Sequence, residues 1–215
     1  MSINLENYRQ ILLKIDKNQQ KTELLVVSKN RSLDDIMPCI IDEKHKLFGE
    51  NRIQEAQKKF TQETISRLGI DLHLIGPLQT NKVDLALSLF QTIQTVDREK
   101  LVNEIHKSIQ KEKYSIKTKN FYLQVNIGDE PQKSGIDIDH LPELYDKCLK
   151  FNLNVTGLMC IPPVNSQPDL YFEKMLSLRE DLNPKLKLSM GMSNDYEVAL
   201  KFHSDMIRIG SLLFS

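Results

Sequence analysis

The chain has 215 residues, of which 40% are hydrophobic, and its 29 Lys and Arg residues balance its 29 Asp and Glu residues. This composition is typical of a globular protein and excludes a collagen-like, disulfide-rich or disordered chain. The formal net charge of zero disfavours a dedicated binder of nucleic acid or of anionic membranes, because both need a strongly basic surface.

The cysteines and the apolar runs indicate the compartment. Cys39, Cys148 and Cys160 lie far apart, are odd in number and form no Cys-x-x-Cys pair, which favours a reducing environment. The first twenty residues lack the apolar run of a signal peptide, and no stretch approaches 18 consecutive apolar residues. We therefore expect a cytoplasmic protein that does not span a membrane.

Short apolar runs alternate with longer amphipathic ones along the whole chain. An opening helix is predicted over 5–15, and the run ELLVVSK at 23–29 is typical of a strand buried on both faces. A helix follows from residue 33, with Ser32 or Asp34 placed to cap it. The other predicted strands are 45–50, 71–76, 92–97, 120–127, 154–161, 185–191 and 206–211. The other predicted helices are 53–60 and beyond, 81–90, 98–113, 140–151, 168–182 and 194–203.

Eight predicted strands, the first seven each followed by a helix, imply a parallel sheet with helices outside it. Eight such units favour a closed (β/α)8 TIM barrel over a doubly wound open sheet. No linker or change of composition divides the chain, so we expect one domain over 1–215. Only LLFS follows residue 211, and we expect the extra N-terminal helix to cover the place of the missing eighth helix.

The active site of a barrel lies on the loops that follow its strands, so the residues at the predicted strand ends are the candidates. Many of these residues are polar or are glycines. The candidates are Ser28, Lys29, Glu50, Asn51, Gly76, Asp97, Asn126, Met159, the segment 189–193 and the segment 208–211. Lys29 shares one strand face with Leu25 and Val27. A lysine at the rim could form a Schiff base, but the spacing alone favours an ordinary lysine that extends from a strand end into solvent.

Two glycine-containing segments point to a phosphate. SMGMSND (189–195) ends the seventh strand and precedes a helix expected to open at Asn194 or Asp195, and RIGS (208–211) ends the eighth. Phosphate sites of barrels often lie after these two strands. The competing interpretation of the first segment is an ordinary turn capped by Ser193 or Asn194.

Arg208 is expected to point into the barrel, because Ile207 and Ile209 should face the surrounding helices. A buried guanidinium is costly unless it is paired. Its partner is either a carboxylate such as Glu50 or an acceptor on a ligand. The five histidines form no set with metal-ligand spacing, and His73 within a strand is expected to be a hydrogen-bonded core residue.

These segments resemble the YggS/PROSC pyridoxal phosphate homeostasis proteins. The shared blocks appear in family order and cover most of the chain from 24 to 214. They are VSK (27–29), FGENRIQEA (48–56), HLIGPLQTNK (73–82), NIGDEPQKSG (126–135), GLM (157–159), SMGMSNDYEVA (189–199) and RIGSLLF (208–214). The chain departs from the family at Pro77, where many relatives have His, and at Thr80, where many have Ser.

The resemblance implies a barrel like the N-terminal domain of alanine racemase, with pyridoxal 5'-phosphate held by Lys29 as an internal aldimine. It also implies that Arg208 faces the pyridine nitrogen and that Asn51 and Met159 line the ring. The phosphate would be held by Ser193 and by the backbone of the two glycine-containing segments. The cofactor-binding residues expected on this basis are Lys29, Asn51, Met159, Ser189, Gly191, Met192, Ser193, Arg208, Gly210 and Ser211.

Three functions remain open at this point. The resemblance favours a non-catalytic protein that buffers pyridoxal phosphate or delivers it, with cofactor-dependent apo-enzymes as possible recipients. The alternative is an amino-acid racemase, which needs a second acid/base opposite the lysine. No tyrosine is an obvious candidate, and Tyr114 is expected in a loop between a helix and a strand. The third is a barrel that binds another phosphorylated metabolite without covalent attachment. We expect a monomer with no bound metal.

Overall fold

The computed structural model describes residues 1–17, 21–111, 115–164 and 166–215. Eight parallel strands form a closed barrel in chain order, and the last strand pairs with the first through Leu25 opposite Arg208. The strands are β1 (Glu23–Val27), β2 (Leu47–Glu50), β3 (Asp71–Leu74), β4 (Thr92–Val96), β5 (Asn120–Val125), β6 (Val155–Cys160), β7 (Lys187–Ser189) and β8 (Met206–Ile209). The predicted TIM barrel is confirmed, and the open-sheet alternative is wrong.

Helices surround the barrel in the described ranges. They are α1 (Leu5–Lys17), α2 (Leu33–Ile41), α3 (Ile53–Lys59), α4 (Gln62–Leu68), α5 (Val83–Leu89), α6 (Glu99–Gln110), α7 (Leu141–Lys150), α8 (Pro168–Leu182) and α9 (Tyr196–Lys201). Short 3-10 turns cover Thr80–Lys82, Ile138–His140 and Ser211–Leu213. None of these helices is both long enough and apolar enough to cross a lipid bilayer.

Local side-chain contacts explain where several helices begin and end. Ser32 caps α2 in a reciprocal capping box with Asp35, which decides between the two predicted caps. The single helix predicted from residue 53 onward is two helices, because Thr61 accepts a hydrogen bond from the backbone of Thr64 and begins α4. The last two residues of the predicted helix 98–113 and the loop residue Tyr114 lie outside the described residues.

Helix α1 occupies the place of an eighth outer helix, as predicted. Its apolar side faces inward, with Tyr8, Ile11 and Ile15 buried. Two hydrogen bonds attach the start of the helix to the C-terminal turn: the backbone N–H of Asn4 donates to Leu213 O at 2.7 Å, and Asn7 Nδ2 donates to Leu212 O at 2.8 Å. The helix therefore covers the outer face of the barrel between its last and first strands.

The strands divide the apolar residues into two layers. Outward-facing residues such as Ile207 and Ile209 join the large core between strands and helices, whereas Leu25, Val27 and Met206 form a separate cluster inside the barrel. Arg208 alternates with the two isoleucines and therefore faces the interior, as predicted. The alternation leaves a mixed polar and apolar interior beneath the loops that follow the strands.

Candidate functional site

Lys29 lies in the turn that follows β1, two residues beyond the end of the strand. The strand was predicted to run to Lys29, but it ends at Val27, and Asn30 has a positive φ of 59° that closes the turn. The side chain is exposed, and Lys29 has no hydrogen bond or ion pair with any residue that the structure describes. Its amino group is therefore available at the carboxyl-end rim of the barrel.

The backbone on both sides of Lys29 is held firmly. The Ser28 hydroxyl donates to Glu50 Oε1 at 2.6 Å, and Lys59 Nζ donates to the Ser28 carbonyl at 2.5 Å. The Asn30 N–H donates to the Glu55 carboxylate. Three side chains from β2 and α3 thus fix the turn that carries Lys29.

Glu50 and Lys59 form a buried ion pair behind this turn. The Nζ to Oε1 distance is 2.6 Å, and the exposed fractions of the side chains are 5% for Lys59 and 0% for Glu50. Burial raises the pKa of Glu50, while the bonds from Lys59 and Ser28 act in the opposite direction. Since Lys59 is the partner of Glu50, the interpretation that paired Glu50 with Arg208 is wrong.

Arg208 is held by neutral acceptors at the ends of β7 and of β6, the next strand beyond it. Its Nη1 donates to the Ser189 carbonyl at 2.6 Å and to Ser189 Oγ at 2.8 Å, and its Nη2 donates to the Cys160 carbonyl at 2.8 Å. No carboxylate forms an ion pair with it among the described residues. Burial lowers the pKa of the guanidinium from its ordinary value. The interior of the barrel therefore contains a guanidinium that no described carboxylate contacts directly, although Asp195 acts on it at longer range.

The loops that follow β7 and β8 expose backbone amides. Among the described residues, no acceptor is bonded to the backbone N–H of Ser193, Asn194, Gly210 or Ser211. The loop after β8 passes β1 closely, and a Cβ added to Gly210 would lie 3.2 Å from Val27 Cβ. The β8 loop amides therefore lie near the end of β1, before the Lys29 turn, and unbonded loop amides of this kind can bind an anion.

Gly191 gives the β7 loop its shape. Its φ is +96°, and an added Cβ would lie only 2.5 Å from Ala199 Cβ, so a larger residue is excluded. Two details differ from the sequence-based expectation. The backbone N–H of Met192 is already bonded to Asp195 Oδ1 at 2.6 Å, and α9 begins at Tyr196 rather than at residue 194 or 195. The helix is six residues long, so the loop amides, rather than the helix, are the donors of this region.

The remaining predicted site residues have different surroundings. Met159 is fully buried on β6 and pairs in register with Ser189. Asn51 follows β2 and its backbone touches the next loop, where a Cβ on Gly76 would lie 2.1 Å from Asn51 O. The Ser189 hydroxyl is fully engaged, because it donates to Gln94 Oε1 at 2.7 Å and accepts from Arg208. Ser189 therefore supports Arg208 and has no free hydrogen for a ligand.

Sequence reasoning missed Lys59 and Glu55, which lie on α3, and Gln94, which lies on β4. The available signal was indirect: a glutamate at the end of a buried strand requires a cation, and α3 carries two lysines, Lys58 and Lys59. The described residues contain no group of three His, Cys, Asp or Glu side chains arranged to hold a metal. His73 is a buried, hydrogen-bonded residue, as predicted.

Comparisons with known proteins agree with this architecture. The family defined by the alanine racemase N-terminal domain matches residues 3–215. The pyridoxal phosphate homeostasis protein of Aquifex aeolicus is 35% identical over 98% of this chain and 93% of its own length. The structure of PipY from Synechococcus elongatus with PLP bound has a TM-score of 0.77 at 29% identity, covering 91% of this chain and 93% of PipY. Alanine racemase of Clostridium difficile shares the fold, with a TM-score of 0.70 at 14% identity, and this chain spans 57% of it.

Proposed function

The chain belongs to the alanine racemase N-terminal-domain family and, within it, to the pyridoxal phosphate homeostasis proteins, and from this premise we propose that it binds pyridoxal phosphate covalently through Lys29. The proposed role is to hold the cofactor for intracellular buffering or delivery. Residues 1–215 act in this proposal as one cofactor-binding barrel domain.

The observation that carries the proposal is the combination of charges and donors at the rim. Pyridoxal phosphate presents an aldehyde, an aromatic ring nitrogen and a phosphate, and the rim has a counterpart for each. Lys29 supplies a primary amine with no described partner, Arg208 supplies a buried cation without a carboxylate, and the β7 and β8 loops supply unbonded amides. The residues present therefore fit this group.

When bound, pyridoxal phosphate would supply an aldehyde that can condense with a neutral primary amine, with loss of one water molecule. In the proposal Lys29 supplies that amine, and the bonds from Glu55, Glu50 and Lys59 to the turn keep its backbone in place. Arg208 remains protonated at accessible pH, so it would donate a hydrogen bond to the ring nitrogen and would disfavour protonation there. Asn51 and Met159 would line the ring.

The phosphate is assigned to Ser193 and to the loop amides of Gly191, Gly210 and Ser211. Two of the predicted cofactor contacts change in this proposal because of the contacts in the structure. The Ser189 hydroxyl is occupied by Gln94 and Arg208, so we assign it to holding the guanidinium. The Met192 amide is bonded to Asp195, so we assign it to shaping the loop rather than to binding phosphate.

The positions of the tyrosines favour binding over racemisation. A racemase needs a second acid/base on the face of the cofactor opposite the lysine. Of the tyrosines in the described ranges, Tyr8, Tyr145, Tyr171 and Tyr196 belong to outer helices, and Tyr122 lines a cavity at the opposite mouth of the barrel. We therefore propose a non-catalytic monomer that supplies pyridoxal phosphate to apo-enzymes in the cytoplasm. The free, buried cysteines are compatible with that reducing compartment.

The proposal is tested by visible absorbance after the purified protein has been mixed with pyridoxal phosphate and separated from the unbound cofactor. The wild type is expected to develop a band that borohydride removes, and Lys29→Ala is expected to develop none. Lys58→Ala is the matched control, because Lys58 is an exposed lysine on neighbouring α3 and should leave the band unchanged. A band of wild-type intensity in Lys29→Ala would contradict the proposal.

Two further measurements separate the alternatives. Pyridoxine phosphate has no aldehyde and can bind only without a covalent bond. If the wild type and Lys29→Ala also bind pyridoxal phosphate with equal affinity and without a visible band, the protein is instead a phosphate-binding barrel. Racemase assays with amino acids are expected to give no rate above that of free pyridoxal phosphate. A rate that depends on Lys29 would identify the protein as an enzyme.

A further inference from the structure

A line of buried polar side chains crosses the interior of the barrel from Arg208 to the opposite mouth. Ser189 Oγ lies 2.8 Å from Arg208 Nη1 and 2.7 Å from Gln94 Oε1. Gln94 Nε2 lies 2.8 Å from His73 Nδ1, and His73 Nε2 lies 3.3 Å from Asp71 Oδ1. We call Arg208, Ser189, Gln94 and His73 the interior chain; each is at most 4% exposed.

The donor and acceptor roles along the interior chain follow from Arg208. A guanidinium only donates, so Ser189 Oγ accepts from it and has its own hydrogen left for Gln94 Oε1. The amide nitrogen of Gln94 then points at His73 Nδ1, which must accept and therefore has no hydrogen. This pattern places the ring hydrogen of His73 on Nε2, facing Asp71.

Gln94 has no spare capacity to reverse these roles. The second hydrogen of its Nε2 faces Met206 Sδ at 3.1 Å, so both amide hydrogens and the carbonyl oxygen are used. A proton on His73 Nδ1 would face the donor Nε2 of Gln94. The amide would have to turn over, and the Ser189 hydroxyl hydrogen would then lose Gln94 Oε1 as its acceptor.

The interior chain also decides which hydrogens of Arg208 remain available. A guanidinium has five N–H bonds, and three of those of Arg208 are taken by the Ser189 carbonyl, Ser189 Oγ and the Cys160 carbonyl. The Nε–H and one Nη2–H have no acceptor among the described residues. Loss of the bond to Ser189 Oγ would free one Nη1–H and would leave the guanidinium held only by two carbonyl oxygens.

We infer that Gln94 and His73 are positioning residues for Arg208, acting from the far side of the barrel through Ser189. The inference rests on the proposed function, in which Arg208 faces the ring of pyridoxal phosphate. Neither residue touches the cofactor in this account. They hold the side chain that does, through hydrogen bonds whose directions are set by the donors of Arg208.

The far end of the interior chain reaches solvent. A cavity of about 170 Å³ lies at the mouth where the strands begin, and His73 lines it together with Glu23, Tyr122 and Lys187. Lys187 and Glu23 form an ion pair there at 3.1 Å, and the Asp71 side chain is 52% exposed. His73 therefore lies between solvent-facing charges and the buried arginine.

The first test needs no cofactor. NMR of the histidine ring nitrogens in the wild-type protein is expected to show His73 protonated on Nε2 and unprotonated on Nδ1. In Gln94→Glu an acceptor oxygen replaces the donor Nε2, so Nδ1 is expected to gain a proton. Gln124→Glu is the matched control, because Gln124 is also a buried barrel glutamine but donates to the Ser134 carbonyl. It should leave His73 unchanged.

The second test uses protein loaded with pyridoxal phosphate. Gln94→Glu and His73→Leu are expected to shift the visible band and to weaken cofactor binding about tenfold, the factor that corresponds to one hydrogen bond with a charged group. His73→Asn retains an acceptor near the Nδ1 position and should restore the wild-type spectrum. Ser189→Ala removes the hydroxyl that joins Gln94 to Arg208. In that background Gln94→Glu should no longer shift the band.

The outcomes separate this inference from the proposed function. If the wild type forms no visible band, the proposed function fails and the NMR result alone decides on the interior chain. If the band forms and His73 carries its proton on Nδ1 in the wild type, the inference is overturned. It is also overturned if Gln94→Glu leaves both the His73 nitrogens and the band unchanged.

Discussion

Lys29 and Arg208 belong to neighbouring parts of the barrel, since β1 pairs with β8, yet they are held in opposite ways. The side chain of Lys29 has no described partner while its backbone turn is fixed by Glu50, Glu55 and Lys59. The side chain of Arg208 makes three hydrogen bonds. The difference corresponds to two tasks, because a group that forms a covalent bond must move, whereas a group that sets a charge must not.

This contrast predicts where substitutions will damage stability and where they will damage binding. Around Lys29, the stabilising interactions lie behind the turn rather than at the lysine. Around Arg208, the functional group and the stabilising group are the same side chain. Four substitutions, ordered by their expected effect on the free energy of unfolding, test that separation.

Lys59→Met is expected to have the largest effect. It leaves the Glu50 carboxylate buried without a cation, which costs about 3–5 kcal/mol. The double variant Glu50→Leu with Lys59→Met removes both charges and should recover most of that loss. Urea unfolding of the protein without cofactor measures both. A double variant as unstable as Lys59→Met would show that the turn, rather than the ion pair, provides the stability.

Arg208→Met is expected to cost about 2–4 kcal/mol, because the Ser189 carbonyl, the Ser189 hydroxyl and the Cys160 carbonyl lose their donor inside the barrel. Arg208→Lys should recover part of this, since an ammonium can donate to some of the same oxygens but lacks the planar fork. Urea unfolding midpoints of the two variants test the ranking. Equal stability of Arg208→Met and the wild type would contradict the account of Arg208.

Gly191→Ala is expected to cost about 2–3 kcal/mol, from a positive φ together with overpacking against Ala199. Gly69→Ala is the matched control, because Gly69 also has a positive φ, of 62°, but an added Cβ meets nothing within 4 Å. The control should cost about 1 kcal/mol. Thermal unfolding of both variants isolates the steric part, and equal losses would mean that the β7 loop can adapt.

Lys29→Ala is expected to have the smallest effect on stability, within about 0.5 kcal/mol of the wild type, because the side chain is exposed and has no described partner. The same variant should lose covalent cofactor binding completely. Unfolding in the absence of cofactor provides the measurement. A loss of more than about 1 kcal/mol would show that the amine has a structural partner, against the contrast with Arg208.

Much of the fold could be predicted because its signals are local. The alternation of strand and helix patterns follows from periodicity, and the inward direction of Arg208 follows from its place between Ile207 and Ile209. The resemblance to a family added the chemical identity of the ligand, which composition and spacing left open. The break between α3 and α4 could not be predicted, because its only signal is a single capping residue, Thr61, within an otherwise helical pattern.

The supporting residues of the site could not be predicted because their contacts cross the structure. Lys59 reaches Ser28 across 31 positions of sequence, and Ser189 reaches Gln94 across 95. Such pairs depend on how the barrel closes, and no single segment contains their signal. The end of β1 at Val27 was likewise hidden, because the apolar run gives no sign that Asn30 adopts a positive φ.

The most direct test of covalent attachment is to identify the lysine that carries the cofactor. The protein would be loaded with pyridoxal phosphate, reduced with borohydride, digested and mapped by mass spectrometry. If Lys29 carries the cofactor, one modified peptide is expected, with the phosphopyridoxyl group on Lys29 at a yield close to one group per chain. Modification mainly at another lysine, such as Lys58 or Lys59, or evenly across the exposed lysines, would contradict it.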